Sequence, residues 1–247
     1  MSRNLTLLAT FVAALAAASA QANQILQESF ESPPGAGYTL NTAFDDSFDY
    51  FDRYAVPDNS NAARDDFQNG WDGQFGIQGQ DHDGPMGPGP TVSVDVAAVA
   101  SNAPAHIITL ALGAVNSEPN FDNFEAADGD SIEIFAVLDG GSPTLIGAFH
   151  PPAMGGAGGV GAGDLYLDTD GDSVGDGTKL TIDLADFSFP AGAAAVDVGV
   201  RIEATSTSSF ESWALDNVRI NAVPEPNSIA MLAVAGVLLG LRRIIRG

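Results

Sequence analysis

Four carboxylates share the decapeptide Asp168-Thr169-Asp170-Gly171-Asp172-Ser173-Val174-Gly175-Asp176-Gly177, three of them at alternate positions. The intervening glycines let the chain curl, so Asp168, Asp170, Asp172 and Asp176 can present oxygens toward one point. A hard cation suits such an arrangement. Ca²⁺ takes six to eight oxygens at roughly 2.3–2.6 Å, and backbone carbonyls and water can complete the shell. Without a cation, carboxylates this close repel one another. The expectation is a structural Ca²⁺ that pins a loop; the plainer alternative is a solvated acidic connection between two strands.

The segment resembles one thrombospondin type 3 repeat unit, matching its acids at Asp168, Asp170, Asp172 and Asp176. It departs at Ser173, where a glycine is usual, and at Lys179, where a further aspartate would stand. An EF-hand fits less well, because the glycine is displaced and no glutamate stands at the twelfth position.

Aromatic residues offer a second kind of chemistry. Phe44, Phe48, Tyr50, Phe51 and Tyr54 cluster among aspartates, and Trp71 lies between Asn69-Gly70 and Asp72-Gly73. If exposed, Trp71, Tyr50 and Tyr54 would form a platform for sugar rings, with carboxylates and amides at the edge for hydroxyls. If buried, they would close one end of a core as a folded-over loop, the commoner fate of aromatic side chains.

Catalytic chemistry finds less support. His82 lies in Gln80-Asp81-His82-Asp83-Gly84, a stretch that Pro85, Pro88 and Pro90 mark as loop; His106 sits in a strand pattern, and His150 precedes two prolines. No nucleophile accompanies the three histidines. With 32 acidic residues in the chain, no pair stands out for glycoside hydrolysis. The chain is therefore expected not to be an enzyme. Gly156-Ala157-Gly158-Gly159-Val160-Gly161 matches G-x-G-x-x-G, but no helix pattern follows it, so it reads as loop.

The elements that must position these residues read as strands. Period-2 alternation recurs at Ile25–Phe30, Thr91–Val96, His106–Leu112, Ser131–Leu138, Thr144–Phe149, Lys179–Leu184, Ala195–Glu203 and Trp213–Ile220. In the seventh of these Val196, Val198, Val200 and Ile202 share one face, and Asp139-Gly140-Gly141 is a turn signal between two others. No window of the body shows helical periodicity. About eight strands with Gly/Pro/Asp loops predict an all-β fold, an antiparallel, jelly-roll-like β-sandwich. Glu28-Ser29-Phe30-Glu31 and Trp213-Ala214-Leu215-Asp216-Asn217-Val218 resemble the FE and ALDD signatures of MAM domains and related carbohydrate-binding jelly rolls. That resemblance implies adjacent first and last strands, with Glu31 and Asp216 as a ligand pair for a structural cation. The chain lacks the MAM cysteines and has Asn217 where an acid is common. The alternative is that Asp216 only accepts backbone hydrogen bonds near a strand end.

The two termini read as an address. Arg3, the apolar run Leu5–Ala18 and the small-x-small sites Ala18-Ser19-Ala20 and Ala20-Gln21-Ala22 predict a signal peptide over residues 1–22, cut after Ala22. At the other end Pro224-Glu225-Pro226 is followed by an uncharged run from Ile229 to Leu241 and by Arg242, Arg243 and Arg246. This order resembles the PEP-CTERM sorting signal of Gram-negative surface proteins. The resemblance implies an exosortase-type partner that cuts near Pro224-Glu225-Pro226, with residues 229–241 held transiently in the inner membrane as a hydrophobic helix. The run spans only ~20 Å as a helix against a hydrocarbon core of ~30 Å, which favours a processed signal (residues 223–247) over a permanent anchor.

Between the signals, residues 23–222 form one domain's worth of chain with five basic and 31 acidic residues, or about −26 (5 minus 31). Such a body repels nucleic acid phosphates and anionic lipids and attracts cations. It contains no cysteine, so its staples are its core and any bound metal. The leading expectation is an exported, non-catalytic structural or binding module of an exopolysaccharide or biofilm layer. Its rivals are a lectin-like domain with a defined glycan and, less well supported, a secreted hydrolase.

Overall fold

The computed structural model describes residues 23–35, 37–46, 49–56, 67, 69–83, 87, 89–116, 124, 129–153, 164–192, 195–207 and 211–223. The signal segment ending at Ala22, the sorting segment from Pro224 onward, the helices expected of both, Phe48 and the glycine-rich 156–161 stretch lie outside these residues. In chain order the strands are β1 (Asn23–Glu28), β2 (Tyr38–Leu40), β3 (Phe44–Asp46), β4 (Asp49–Ala55), β5 (Phe75–Gln80), β6 (Thr91–Ala100), β7 (Ala105–Asn116), β8 (Ser131–Leu138), β9 (Thr144–His150), β10 (Tyr166–Leu167), β11 (Ala185–Pro190), β12 (Asp197–Thr205) and β13 (Glu211–Val223). Among the described residues there is no helix.

Two antiparallel sheets face each other. One runs β10-β9-β8-β12-β6-β2; the other runs β11-β7-β13-β5-β4-β3, with β1 added alongside β13. Alternation explains the core between them. Val198, Val200, Ile202 and Ala204 of β12 and Val92, Val94 and Val96 of β6 meet Ile108, Leu110 and Leu112 of β7 and Trp213, Leu215 and Ile220 of β13 in one cluster. At Asp139 and Gly140 φ is 53° and 64°, and Gly141 donates its N–H to the Leu138 carbonyl at 2.9 Å, the primed turn that suits strand twist.

β13 organises the site. β7 pairs with it along nearly its whole length, whereas its other edge is shared. β5 covers Ser212–Leu215 and β1 covers Val218–Ala222, so first and last strands lie side by side. Asp216 and Asn217 fall in the gap between these two partners. There the β7 register also slips, and Asn217 takes φ 51°.

Two strand expectations need correction. Lys179–Leu184 is not a strand, and only Lys179 forms a bridge, to Tyr166. Its backbone groups serve several segments: Leu180 donates to the Leu165 carbonyl, Thr181 accepts from Ala114, and Leu184 donates to Asn69. The strand begins at Ala185, where Phe187 and Phe189 turn inward against Phe149. Val196 does not share the buried face of β12. It precedes the strand and is 65% exposed, with its N–H donated to Asp139 Oδ1.

Candidate functional site

The gap beside β13 collects three carboxylates. Asp216 is wholly buried; its Oδ2 accepts the Asp72 N–H at 2.5 Å and its Oδ1 accepts the Asn217 N–H at 2.6 Å. Burial pushes the Asp216 carboxyl up to about 7, with the charges of Asp72 and Glu31 adding to the rise against those two N–H donors. Glu31 Oε1 accepts the N–H groups of Gln74 and Phe75 at 2.8 and 3.0 Å. The turn that carries Glu31 is clamped by Arg53, which donates Nε–H to the Phe30 carbonyl and Nη2–H to the Glu31 carbonyl, its guanidinium 3.4 Å above the Phe75 ring. Glu31 and Asp216, paired in the sequence reading, therefore share one neighbourhood, and Asp72 joins them. The Glu31 and Asp216 carboxyl groups both act as backbone acceptors.

Asp72 also faces outward. Its Oδ2 accepts Gln27 Nε2–H at 2.6 Å, and the same Nε2 donates to Asn217 Oδ1 at 3.0 Å. These side chains form one rim of an open groove of about 540 Å³ on the outer face of the β13 sheet. Trp71 stands in its wall, and across it Arg219 Nη2 donates to Asp186 Oδ1 at 2.6 Å. The volume lies within the ~300–1,000 Å³ of small-ligand clefts. Amides, carboxylates and a guanidinium beside one indole can bind a hydroxyl-rich ligand by its edges and stack on its face.

Of the three residues expected to form an aromatic platform, only Trp71 reaches the groove. Tyr50 and Tyr54 are buried and pack edge to face with centroids 5.4 Å apart. They lie on β4 opposite the core-facing Phe51, on an outer face that is itself covered, so neither presents a ring to a ligand. Trp71 is half-buried with Phe67, Ala111, Leu184 and Ala214. Its Nε1–H is donated to the Phe67 carbonyl at 2.9 Å, and its ring lies so close over β5 that a Cβ at Gly76 would fall 2.0 Å from Cζ3.

The acidic decapeptide lies between β10 and β11. Asp168, Asp170 and Asp172 each place a carboxylate oxygen within 4.8 Å of the others. Asp176 is turned elsewhere: its carboxylate accepts Thr169 N–H at 3.0 Å and Thr169 Oγ1–H at 2.8 Å, closing the loop. Burial acts to raise Asp168, but N–H groups of Gly171, Ser173 and Asp170 together with His150 outweigh it and hold the carboxyl below its usual range. The neighbouring Asp172 charge raises Asp170.

Each of the three histidines makes contacts within the fold. His82 is buried among Phe44, Phe51 and Trp213; its Nε2 accepts Trp213 Nε1–H at 3.0 Å, so Nδ1 carries the proton donated to the Pro90 carbonyl at 3.2 Å. Burial lowers its pKa to about 4. His106 bonds Ser101 Oγ at 2.7 Å, and His150 lies 4.0 Å from Asp168. Sequence reading missed Gln27, Asp186 and Arg219, which lie far apart in the chain and meet only through the β1–β13–β7–β11 register. The implied adjacency of first and last strands was the one signal that could have joined Gln27 to Asn217.

No family model matches the chain, and no curated protein matches it. Among solved structures it is similar to the CBM22-1 xylan-binding domain of Paenibacillus barcinonensis Xyn10C, at 11% identity over 83% of this chain and 97% of that one, with a TM-score of 0.41. The K1 cleaved adhesin domain of Lys-gingipain from Porphyromonas gingivalis W83 is similar at 13% identity over 80% and 97%, with a TM-score of 0.42. A Stig cyclase, Fisc from Fischerella sp. TAU, is similar at 15% identity over 83% and 99%, with a TM-score of 0.44.

Proposed function

We propose that residues 23–222 form a non-catalytic, glycan-binding module of an exported surface or matrix protein, with the groove between Trp71, Gln27, Asp186 and Arg219 as its ligand site. The groove carries this reading, because it combines one aromatic wall with amide and charged groups suited to hydroxyls. Delivery by a signal peptide and an exosortase-processed tail is supported by the Ala22 and Pro224-Glu225-Pro226 segments. The jelly-roll-like connectivity is supported by the way the chain alternates between sheets from β5 to β8 and again from β11 to β13. Structural Ca²⁺ is part of the proposal at two places: Glu31 with Asp72 and Asp216, and Asp168 with Asp170 and Asp172. In both, the ion would neutralise carboxylates that otherwise repel and would stiffen a loop, the first of them bordering the groove.

A glycan array probed with the purified body tests the binding site. Retention of a defined glycan, lost in Trp71→Ala, is expected, and a blank array overturns the reading. Mass spectrometry of native material tests the export route: the mature chain should begin at Asn23 and lack the Gly247 peptide, and an intact C-terminus in a cytosolic fraction would refute it.

A further inference from the structure

Among the described residues, Gln78 is a side chain whose polar atoms are both buried and both without a partner. It is wholly buried on β5, and neither Oε1 nor Nε2 meets a hydrogen-bonding partner. Its neighbour Ile77 points into the core, so Gln78 faces the other way, toward the groove side of the sheet. Its register partners are Asp52 on β4 and Ala214 on β13. Ala214 belongs to the small cluster against which Trp71 packs, and Trp71 covers Gly76, the preceding outward position of β5. The indole that walls the groove therefore packs on this same face of the sheet, against the register partner of Gln78. By contrast, the next outward residue, Gln80, has its Oε1 satisfied by Ser212 Oγ–H at 2.6 Å.

A buried primary amide without partners is strongly unfavourable, whereas an apolar side chain of the same shape would be neutral or better. Such a group fits a site completed by ligand. Resting on the glycan-binding reading, we propose that Gln78 is the buried specificity-determining residue of the groove. Its amide takes hydroxyls of a neutral sugar when the Trp71 ring rotates off Gly76. The motion is confined to a side chain, because the adjoining backbone is pinned by the Asp72 N–H on Asp216. An amide both donates and accepts, as a hydroxyl does, and a carboxylate ligand would meet Asp72, Asp186 and a body of about −26 (5 minus 31). The ligand class is thus uncharged and rich in vicinal hydroxyls. A buried amide evolved for hydroxyls rejects analogues that leave it unpaired.

Affinity electrophoresis of the mature body in gels containing soluble β-glucan, galactomannan or dextran, and separately alginate or polygalacturonate, tests this with wild type and Gln78→Met. Wild type should be retarded by a neutral polymer only. Gln78→Met should lose at least tenfold in affinity while melting no lower than wild type, a combination a packing role cannot produce. Should Gln78→Met fail to fold, tryptophan emission decides. Saturating wild type with the retarding polymer should shift the spectrum, and Trp71→Phe should show no shift. Retention by an acidic polymer, or equal retention of wild type and Gln78→Met, overturns this assignment and leaves the glycan reading standing. No retention by any polymer, together with a blank array, overturns both.

Discussion

The backbone N–H of Asp72 is bonded to the carboxylate of Asp216, 144 residues further along the chain, at 2.5 Å. Through that bond the loop carrying Trp71 is fastened to the point where β13 changes partner from β5 to β1. The acid pocket and the groove are therefore two sides of one residue, Asp72, whose side chain faces Gln27 while its amide serves Asp216.

Asp216 should make stability fall as pH rises. Its folded pKa is near 7 against an ordinary 3.8, so the native state binds the extra proton between those values. The resulting penalty develops from about pH 4 upward and is complete above pH 7. Asp81, also pushed up to about 7 by burial and by Asp83 and Asp49, slopes in the same direction, so a difference must be read. In EGTA, Asp216→Asn should be slightly less stable than wild type at pH 4, having lost one acceptor, and more stable at pH 8. The gap should move by about 4 kcal/mol, at roughly 1.4 kcal/mol per pK unit. Urea titrations at the two pH values measure it, and a constant gap would count against the buried, proton-holding carboxyl.

If a cation replaces that proton, Ca²⁺ and protons compete. Adding Ca²⁺ should raise the wild-type Tm more at pH 8 than at pH 5, with release of protons near pH 7, and Asp216→Asn should remove the pH dependence of that increment. Differential scanning calorimetry with and without chelator reads this. An increment independent of pH would place the ion elsewhere.

His82 works in the opposite sense. Its folded pKa lies near 4, below the ordinary 6.5, so the unfolded chain takes up the proton first as pH falls. Its stabilising contribution is complete above pH 6.5 and is lost toward pH 4, by up to about 3 kcal/mol. His82→Gln can still accept from Trp213 Nε1–H but does not titrate. It should be less stable than wild type at pH 7 through lost ring packing, and the deficit should shrink or reverse at pH 4.5. Equal deficits at both pH values would show that His82 titrates normally.

How far these features could be read in advance follows from the range of the interactions. β12 was legible because Val198, Val200 and Ile202 alternate on one strand, and the Asp139-Gly140 turn because its residues suit positive φ locally. The nearness of Glu31 and Asp216 was legible through motifs that each lie within a few residues. The groove was not: Gln27, Trp71, Asp186 and Arg219 come from four segments and meet through sheet register alone. Tyr50 and Tyr54 failed as a platform for a related reason. Alternation predicts that they face away from Phe51, but not that the outer face there is covered. Lys179–Leu184 misled because its apolar side chains alternate while its backbone bonds serve Leu165, Ala114 and Asn69 instead of one neighbouring strand.

The acidic loop permits a sharper separation of roles than its sequence suggested. Asp176 bonds Thr169 through both N–H and hydroxyl, so Asp176→Ala should lower the Tm by a similar amount in Ca²⁺ and in EGTA. Asp170 is exposed and sits against the Asp172 charge, which raises its pKa. In EGTA, removing that repulsion should leave Asp170→Ala as stable as wild type or slightly more so. In Ca²⁺ the same variant should fail to gain the increment that wild type gains. Melting curves of the two variants under both conditions give four numbers with an expected pattern. If Asp170→Ala gains as much from Ca²⁺ as wild type does, the Asp168, Asp170 and Asp172 oxygens are not the ion's ligands, and any Ca²⁺ effect belongs to the pocket of Glu31, Asp72 and Asp216.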